Sequence, residues 1–199
     1  MNEPSNRLGI VALQGTTRPG SYTAHALAVV VDELEQRHPG CVTIVDPSTL
    51  SLPFPGQTGE YPDVSELQDT VRGATGVVFA TPEYHGTFSS VAKLLVENLG
   101  FPSALSTKPV ALLGVAAGSI GAIKSLESLR GVCSHVGAIV LPGPVSIANV
   151  RSAFDADGRV IDETVDRQLR ALASSLLGYI EQSVCPRFAL ETMVRQGAA

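Results

Sequence analysis

The feature that most constrains this chain is a recurring unit: a short unbroken apolar run, a break at Gly, Ser or Pro, then a stretch with helical spacing. The first run, Leu8-Gly9-Ile10-Val11-Ala12-Leu13, is continuous rather than alternating, as a strand buried on both faces should be. It breaks at Gly15-Thr16-Thr17-Arg18-Pro19-Gly20-Ser21. The next helix sets Leu27, Val30, Val31 and Leu34 on one face and ends before His38-Pro39-Gly40. Cys41 to Val45 reads as a second strand. Residues 46–62, rich in Pro, Gly and Ser, read as a long loop of the kind that often carries function. A helix over Val64 to Arg72 leads to a third strand, Gly76 to Ala80. The turn Thr81-Pro82-Glu83-Tyr84-His85-Gly86 follows, then a helix with Val91, Leu94, Leu95 and Asn98 on one stripe.

The fourth strand is Pro109 to Val115, its turn Ala116-Ala117-Gly118-Ser119, and its helix runs to about Ser134. A fifth strand, Ala138 to Leu141, stops at Pro142-Gly143-Pro144. The last helix has Ile161, Val165, Leu169, Leu172, Leu176 and Ile180 at helical spacing. No internal repeat and no second domain is visible. Strand–helix alternation implies right-handed crossovers over a parallel sheet covered on both faces. The expected fold is therefore α/β, a flavodoxin-like three-layer sandwich with a five-stranded parallel sheet. It spans one domain over residues 1–199. Residues 1–6 and about 184–199, Cys185 included, read as flexible or partner-contacting tails.

Composition removes several classes of function. The 199 residues are 44% hydrophobic and 17% charged, with net charge −5 and no basic block. A nucleic-acid backbone needs clustered Lys and Arg, so no nucleic-acid partner is expected. The apolar runs are too short and too punctuated to cross a bilayer, and Met1 to Arg7 lacks the apolar core of a signal peptide. Cys41, Cys133 and Cys185 are widely spaced, without a CxxC pair. They fit neither a disulfide framework nor a zinc site, but they do fit a reducing cytosol. No metal is expected, the location is expected to be cytoplasmic, and redox chemistry would need a borrowed cofactor.

Sheets of this kind bind ligands outside the carboxyl ends of their strands, where three turns meet. The first offers the hydroxyls of Thr16, Thr17, Ser21 and Thr23, the Arg18 guanidinium, two glycines and a helix start. Together these suit a terminal phosphate dianion. Ser21 or Thr23 equally suits a plain helix N-cap. Ser21 stands where a nucleotide-triphosphate loop needs Lys, which removes that reading. The second turn, Pro82 to Gly86, offers a rigid Pro, an aromatic ring and backbone groups to the polar edge of a planar heterocycle. Tyr84 covering an apolar patch, with His85 and Glu83 merely exposed or structural, is the plainer reading. The third, Ala117-Gly118-Ser119-Ile120-Gly121, is small enough for a flat ligand to approach, with Ser119 free to cap the next helix. A serine-hydrolase elbow fails here, because Ala117 replaces its first glycine and no later Asp–His pair follows.

In this order the turns resemble the NADPH-dependent FMN reductase family, which includes chromate, quinone and azo-dye reductases. The family's G-S-x-R-x-x-S-x-N loop appears as Gly15 to Thr23, and its P-E-Y-N motif as Pro82-Glu83-Tyr84-His85 with Lys93 downstream. Its K-P-V strand and Gly/Ser turn appear as Lys108-Pro109-Val110 and Gly118-Ser119. The departures are Thr23 and His85, each in place of Asn, and Lys93 to Asn98, which lacks the family's Asn and Trp.

The resemblance implies that Thr16, Arg18, Ser21 and Thr23 hold the FMN phosphate, with Tyr22 also in the cofactor site. Pro82, Glu83, Tyr84 and His85 would border the isoalloxazine, with Ala117, Gly118 and Ser119 closing its other side. It further implies hydride transfer from NAD(P)H to FMN, then to a small acceptor: free flavin, a quinone, an azo compound or a metal oxyanion. No side chain is assigned as catalytic, because the flavin does the redox chemistry. A homodimer or homotetramer is implied, as is a possible monooxygenase partner receiving reduced flavin. The alternatives are a flavodoxin-like electron carrier without nicotinamide turnover and a domain that has lost its ligand.

Overall fold

A computed structural model describes residues 8–197. The first apolar run becomes β1 (Ile10–Gln14), and the two faces of that strand found two separate cores. Ile10 and Ala12 point into one core and Val11 and Leu13 into the other, the period-two consequence of a strand buried on both sides. The first core lies beneath α1 (Tyr22–Arg37) and α5 (Glu163–Tyr179), with Leu27, Val30, Leu34, Leu169 and Leu176. The second lies beneath α2 (Pro62–Gly73), α3 (Ser90–Glu97) and α4 (Ile123–His135), with Val71, Leu95 and Leu129.

The remaining strands are β2 (Val42–Val45), β3 (Gly76–Tyr84), β4 (Thr87–Phe88), β5 (Pro109–Val115), β6 (Ile139–Val140) and β7 (Val145–Ile147). The sheet runs β2-β1-β3-β5-β6, all parallel, with β7 beside β5 and β4 antiparallel to β3. This is the flavodoxin-like order: five central lanes, plus a hairpin strand and a split fifth lane. Among the described residues no helix is long and apolar enough to cross a membrane.

Several boundaries differ from those expected. β3 does not end at Ala80 but continues through Thr81 and Pro82, opposite Gly114 and Val115 of β5. β1 pairs with β3 only as far as Gln14 and Ala80, so β3 has one neighbour from Thr81 onward. Pro82 therefore sits where a missing N–H costs no ladder bond on the β1 side. Glu83 and Tyr84 then pair with Phe88 and Thr87 of β4. The connecting His85 and Gly86 have φ of +53° and +79°, the signature of a two-residue type I′ hairpin. Thr81–Gly86 is thus a strand end and hairpin rather than a loop.

The fifth lane is also longer than the sequence indicates. Pro142-Gly143-Pro144 interrupts it, because two of three residues lack an N–H. Pairing resumes at Leu113 with Val145 because β5 still offers unpaired backbone there. The long loop contains a 3-10 turn, Pro47–Thr49, capped by Asp46. α4 begins at Ile123, so its N-cap is Ala122 and Ser119 caps nothing. α5 begins at Glu163, with Asp162 accepting from Thr164 and Val165, so the exposed Ile161 precedes it. Beyond α5 the chain passes through a π-helical turn, Ile180–Val184, into α6 (Cys185–Gly197). The amino-terminal tail over residues 1–6 lies outside the described residues.

Candidate functional site

The strand order reverses between β1 and β3, the switch point at which doubly wound sheets bind ligands. The first turn follows β1 and is strapped to β3 and α3. Gly15 N–H donates to the Ala80 carbonyl at 2.7 Å, and Ser89 Oγ donates to the Gly15 carbonyl at 2.5 Å. A Cβ at position 15 would lie 2.5 Å from the Ala80 oxygen, so only glycine allows this approach. Gln14 Nε2 pins the turn from below, donating to the Thr16 carbonyl at 3.0 Å and to Asp46 at 3.3 Å.

The hydroxyls of this turn are already placed. Thr16 Oγ1 accepts from Arg18 N–H at 3.2 Å, and Ser21 Oγ, the N-cap of α1, accepts from Ala24 N–H at 3.1 Å. Each accepts through its oxygen, which leaves its O–H to donate to a bound oxygen. Ser21 is the cap, while Thr23 is buried inside the first turn of the helix. Tyr22 and Thr23 stand at the first two helical positions, whose N–H groups have no intrahelical partner. The 16-residue α1 has no acidic residue in its first turn, so its positive end is uncancelled. Thr17, Arg18 and Gly20 are exposed above it. This is a donor set for a phosphate dianion, and it fits that of FMN.

The hairpin forms the next wall. Thr81 is fully buried, accepting from Ser89 N–H at 3.1 Å and donating to the Pro82 carbonyl at 3.0 Å. In a two-residue hairpin the pair beside the turn exchanges hydrogen bonds and the following pair does not. The backbone groups of Glu83, opposite Phe88, therefore point away from β4. Glu83 Oε2 is buried without a partner. Buried unpaired acceptors are rare, because they give up water for nothing, and this one lies on the strand expected to border the ring. Tyr84 is 47% exposed and His85 is exposed in the left-handed region.

The third turn, Ala117, Gly118 and Ser119, is exposed after the buried Ala116. A Cβ at Gly118 would meet nothing within 4 Å, so the open face there is real space. The turn is held from behind: the Gly118 carbonyl accepts from Gly121 and Asn149, and Ala122 N–H donates to Ser146 Oγ at 2.9 Å.

Asn149 belongs to a fourth turn that the sequence reading missed. It follows β7, which went unrecognised behind Pro142-Gly143-Pro144; the apolar Val145 and Ile147 flanking Ser146 were the available signal. Asn149 has φ of +47° and leads into a 3-10 turn, Val150–Ser152. Val150 N–H donates to the Ala116 carbonyl at 3.1 Å, and the Phe154 ring lies 6.0 Å from that of Tyr22. Residues 149–154 therefore run from the third turn to the first along the same edge.

Further polar features lie at the start of α5 and on the flank between α1 and α5. A depression of about 530 Å³ is lined by Val160, Asp162, Glu163, Asp166 and Arg170 beside the start of α5. Arg170 joins Asp32, Glu33 and Asp166 across α1 and α5. Burial pushes the Cys133 thiol up to about 12, so it stays protonated and unreactive. No group of three or more potential metal ligands occurs among the described residues.

Comparison with known proteins gives the site a context. Residues 8–152 match the NADPH-dependent FMN reductase family. The chain is similar to an NAD(P)H-dependent FMN reductase of Pseudomonas aeruginosa, 29% identical over 181 residues that cover 84% of this chain and 95% of the relative. It is also similar to a NADPH azoreductase of a Bacillus species, 29% identical over 171 residues covering 83% and 92% of the two chains. Among solved structures it resembles a flavoenzyme NAD(P)H:(acceptor) oxidoreductase of Paracoccus denitrificans. The TM-score is 0.74 at 22% identity, with 88% of this chain and 98% of that one covered. At that identity the likeness speaks for the fold.

Proposed function

The chain belongs to the NADPH-dependent FMN reductase family, and from that premise we propose how its own residues serve hydride transfer from NAD(P)H through FMN to a small acceptor. The observation that carries the reading is the first turn: donors gather over an uncancelled helix terminus beneath an exposed Arg18. Arg18 forks onto two phosphate oxygens, and the Thr16 and Ser21 hydroxyls and the Tyr22 and Thr23 N–H groups take the rest. Thr23 contributes its backbone N–H from the second helical position of α1.

The hairpin and the third turn bracket the isoalloxazine. Pro82 and the Glu83 backbone border its polar edge, Tyr84 and His85 its rim, and Ala117, Gly118 and Ser119 its far side. When bound, FMN would supply the two-electron redox chemistry that links coenzyme and acceptor. The protein contributes placement and donors, and no side chain acts as an acid or base. The open face at Gly118 suits sequential use of one place by coenzyme and acceptor, with a quinone, azo compound, free flavin or metal oxyanion as acceptor.

The proposed unit is a single flavodoxin-like domain acting in the cytoplasm as a homodimer or homotetramer. The free thiols of Cys41, Cys133 and Cys185 support a reducing compartment. The exposed Phe54 and Phe101, at the carboxyl end of α3, support a covered apolar face; a sizing column tests that part. The test of the function is the visible spectrum of purified protein under anaerobic conditions. Bound flavin bleached by NADPH within seconds is the expected result. A bound flavin that NADPH leaves oxidised makes the chain an electron carrier, and protein that cannot take up added FMN overturns the reading.

A further inference from the structure

The fourth turn carries chemistry that neither the sequence motifs nor the similar proteins assign. Across the described side chains, arginines on the helices and outer loops each reach a carboxylate, hydroxyl or carbonyl oxygen. Arg18 and Arg151 reach none, and both lie on the carboxyl edge of the sheet. In a chain of net charge −5, two exposed guanidinium groups left without an acid on one edge mark that edge for anions.

Their positions differ in a useful way. Arg18 stands over the start of α1, among the donors proposed for the FMN phosphate. Arg151 stands in the 3-10 turn Val150–Ser152, between the backbone bonds to Ala116 and Gly118 and the packing of Phe154 on Tyr22. The turn is fixed rather than loose. Two main-chain hydrogen bonds of 3.1 Å anchor it to the third turn, and Asn149 is held at a positive φ that disfavours most side chains.

We propose that Arg151 binds a phosphate of the nicotinamide coenzyme, which rests on the FMN reductase reading above. A flavin phosphate is already served by one guanidinium, two hydroxyls and two N–H groups, enough for its terminal oxygens. The coenzyme brings further phosphates to the same edge, and a planar guanidinium fork on an anchored turn matches two oxygens of one.

The test uses FMN-loaded protein and calorimetric titration of NADP+ and NAD+ into the wild type, Arg151→Ala and Arg151→Lys. Arg151→Ala should weaken NADP+ binding by about 10- to 100-fold, the range for a lost charge-assisted contact. Arg151→Lys should fall between, keeping the charge but not the fork. FMN affinity, followed by fluorescence quenching, should equal that of the wild type. A loss confined to NADP+ assigns the 2′-phosphate, and an equal loss for NAD+ assigns the pyrophosphate; both support the proposal. Unchanged NADP+ affinity, or a loss of FMN instead, overturns it. Bleaching of wild-type flavin by NADPH separates this failure from failure of the functional reading.

Discussion

Arg170 and Arg18 are the same residue type in opposite circumstances. Arg170 lies on the flank between α1 and α5, 2.9 Å from Asp32, 3.1 Å from Glu33 and 3.1 Å from Asp166. Arg18 lies on the sheet's carboxyl edge without an ion pair among the described residues, above a helix terminus that itself repels cations. The flank cluster completes its own electrostatics within the fold. The edge is left incomplete, and its charge is available for a ligand. The same contrast separates the two ends of the sheet. At the amino end Lys108 Nζ donates to the Arg72 and Ala74 carbonyls, both at 2.6 Å, closing the end of α2.

The contrast can be broken most forcefully at Gly15. Gly15→Ala forces a Cβ against the Ala80 carbonyl, and it should cost about 1–3 kcal/mol of stability and most of the FMN affinity. Denaturant unfolding and flavin titration check both; an unchanged unfolding midpoint would show that the strap is slack. Next is Arg18→Ala, expected to weaken FMN by about 10- to 100-fold while leaving the melting temperature nearly unchanged. Riboflavin, which lacks the phosphate, should bind wild type and variant alike. Equal FMN affinity in the two proteins would sink the phosphate assignment.

Arg170→Met should do the reverse: no effect on flavin, and a loss of about 1 kcal/mol at neutral pH, typical of partly exposed pairs. The hydrogen bond from Arg170, more than the contributions of Gln36 and Arg37, holds the Asp32 and Glu33 carboxyls below their ordinary values. A carboxyl depressed by folding adds stability above its unfolded pKa, near 4, and loses it as pH falls through the folded value. Wild-type melting temperature should therefore drop below about pH 4, and the variant should show a flatter acid limb. Parallel limbs would mean the cluster contributes nothing. The smallest effect is expected for His85→Asn. Asn accepts the left-handed region as well as His does, so stability should change by only a few tenths of a kcal/mol, whereas His85→Val should cost about 1 kcal/mol or more. Thermal melts of the pair decide whether the hairpin geometry matters.

Much of this was readable beforehand, for reasons that can be stated residue by residue. Ile10 to Leu13 announced a doubly buried strand because all four residues are apolar, and each core claims two of them. The turn at Gly15 to Ser21 announced itself through residue types that cap helices and hold anions. The hairpin did not. Pro82 looked like a turn residue because its lack of an N–H is a local fact, while the ending of β1 two residues earlier is a distant one. The fifth lane failed for the same reason: Pro142-Gly143-Pro144 stops a strand locally, but unpaired backbone on β5 restarts it.

The sequence by itself determined the strand–helix alternation and the parallel sheet, though not β4, β7 or α6, and it supplied the residue types of the first turn. Each depends on periodicity or turn preference over a few neighbouring residues. Only the tertiary structure decided which groups meet: Ser89 with Gly15, Asn149 with Gly118, Phe154 with Tyr22. It alone decided which arginines find acids and which are left facing outward. Partners tens of residues apart are chosen by how helices and strands pack, and no short-range pattern records that choice.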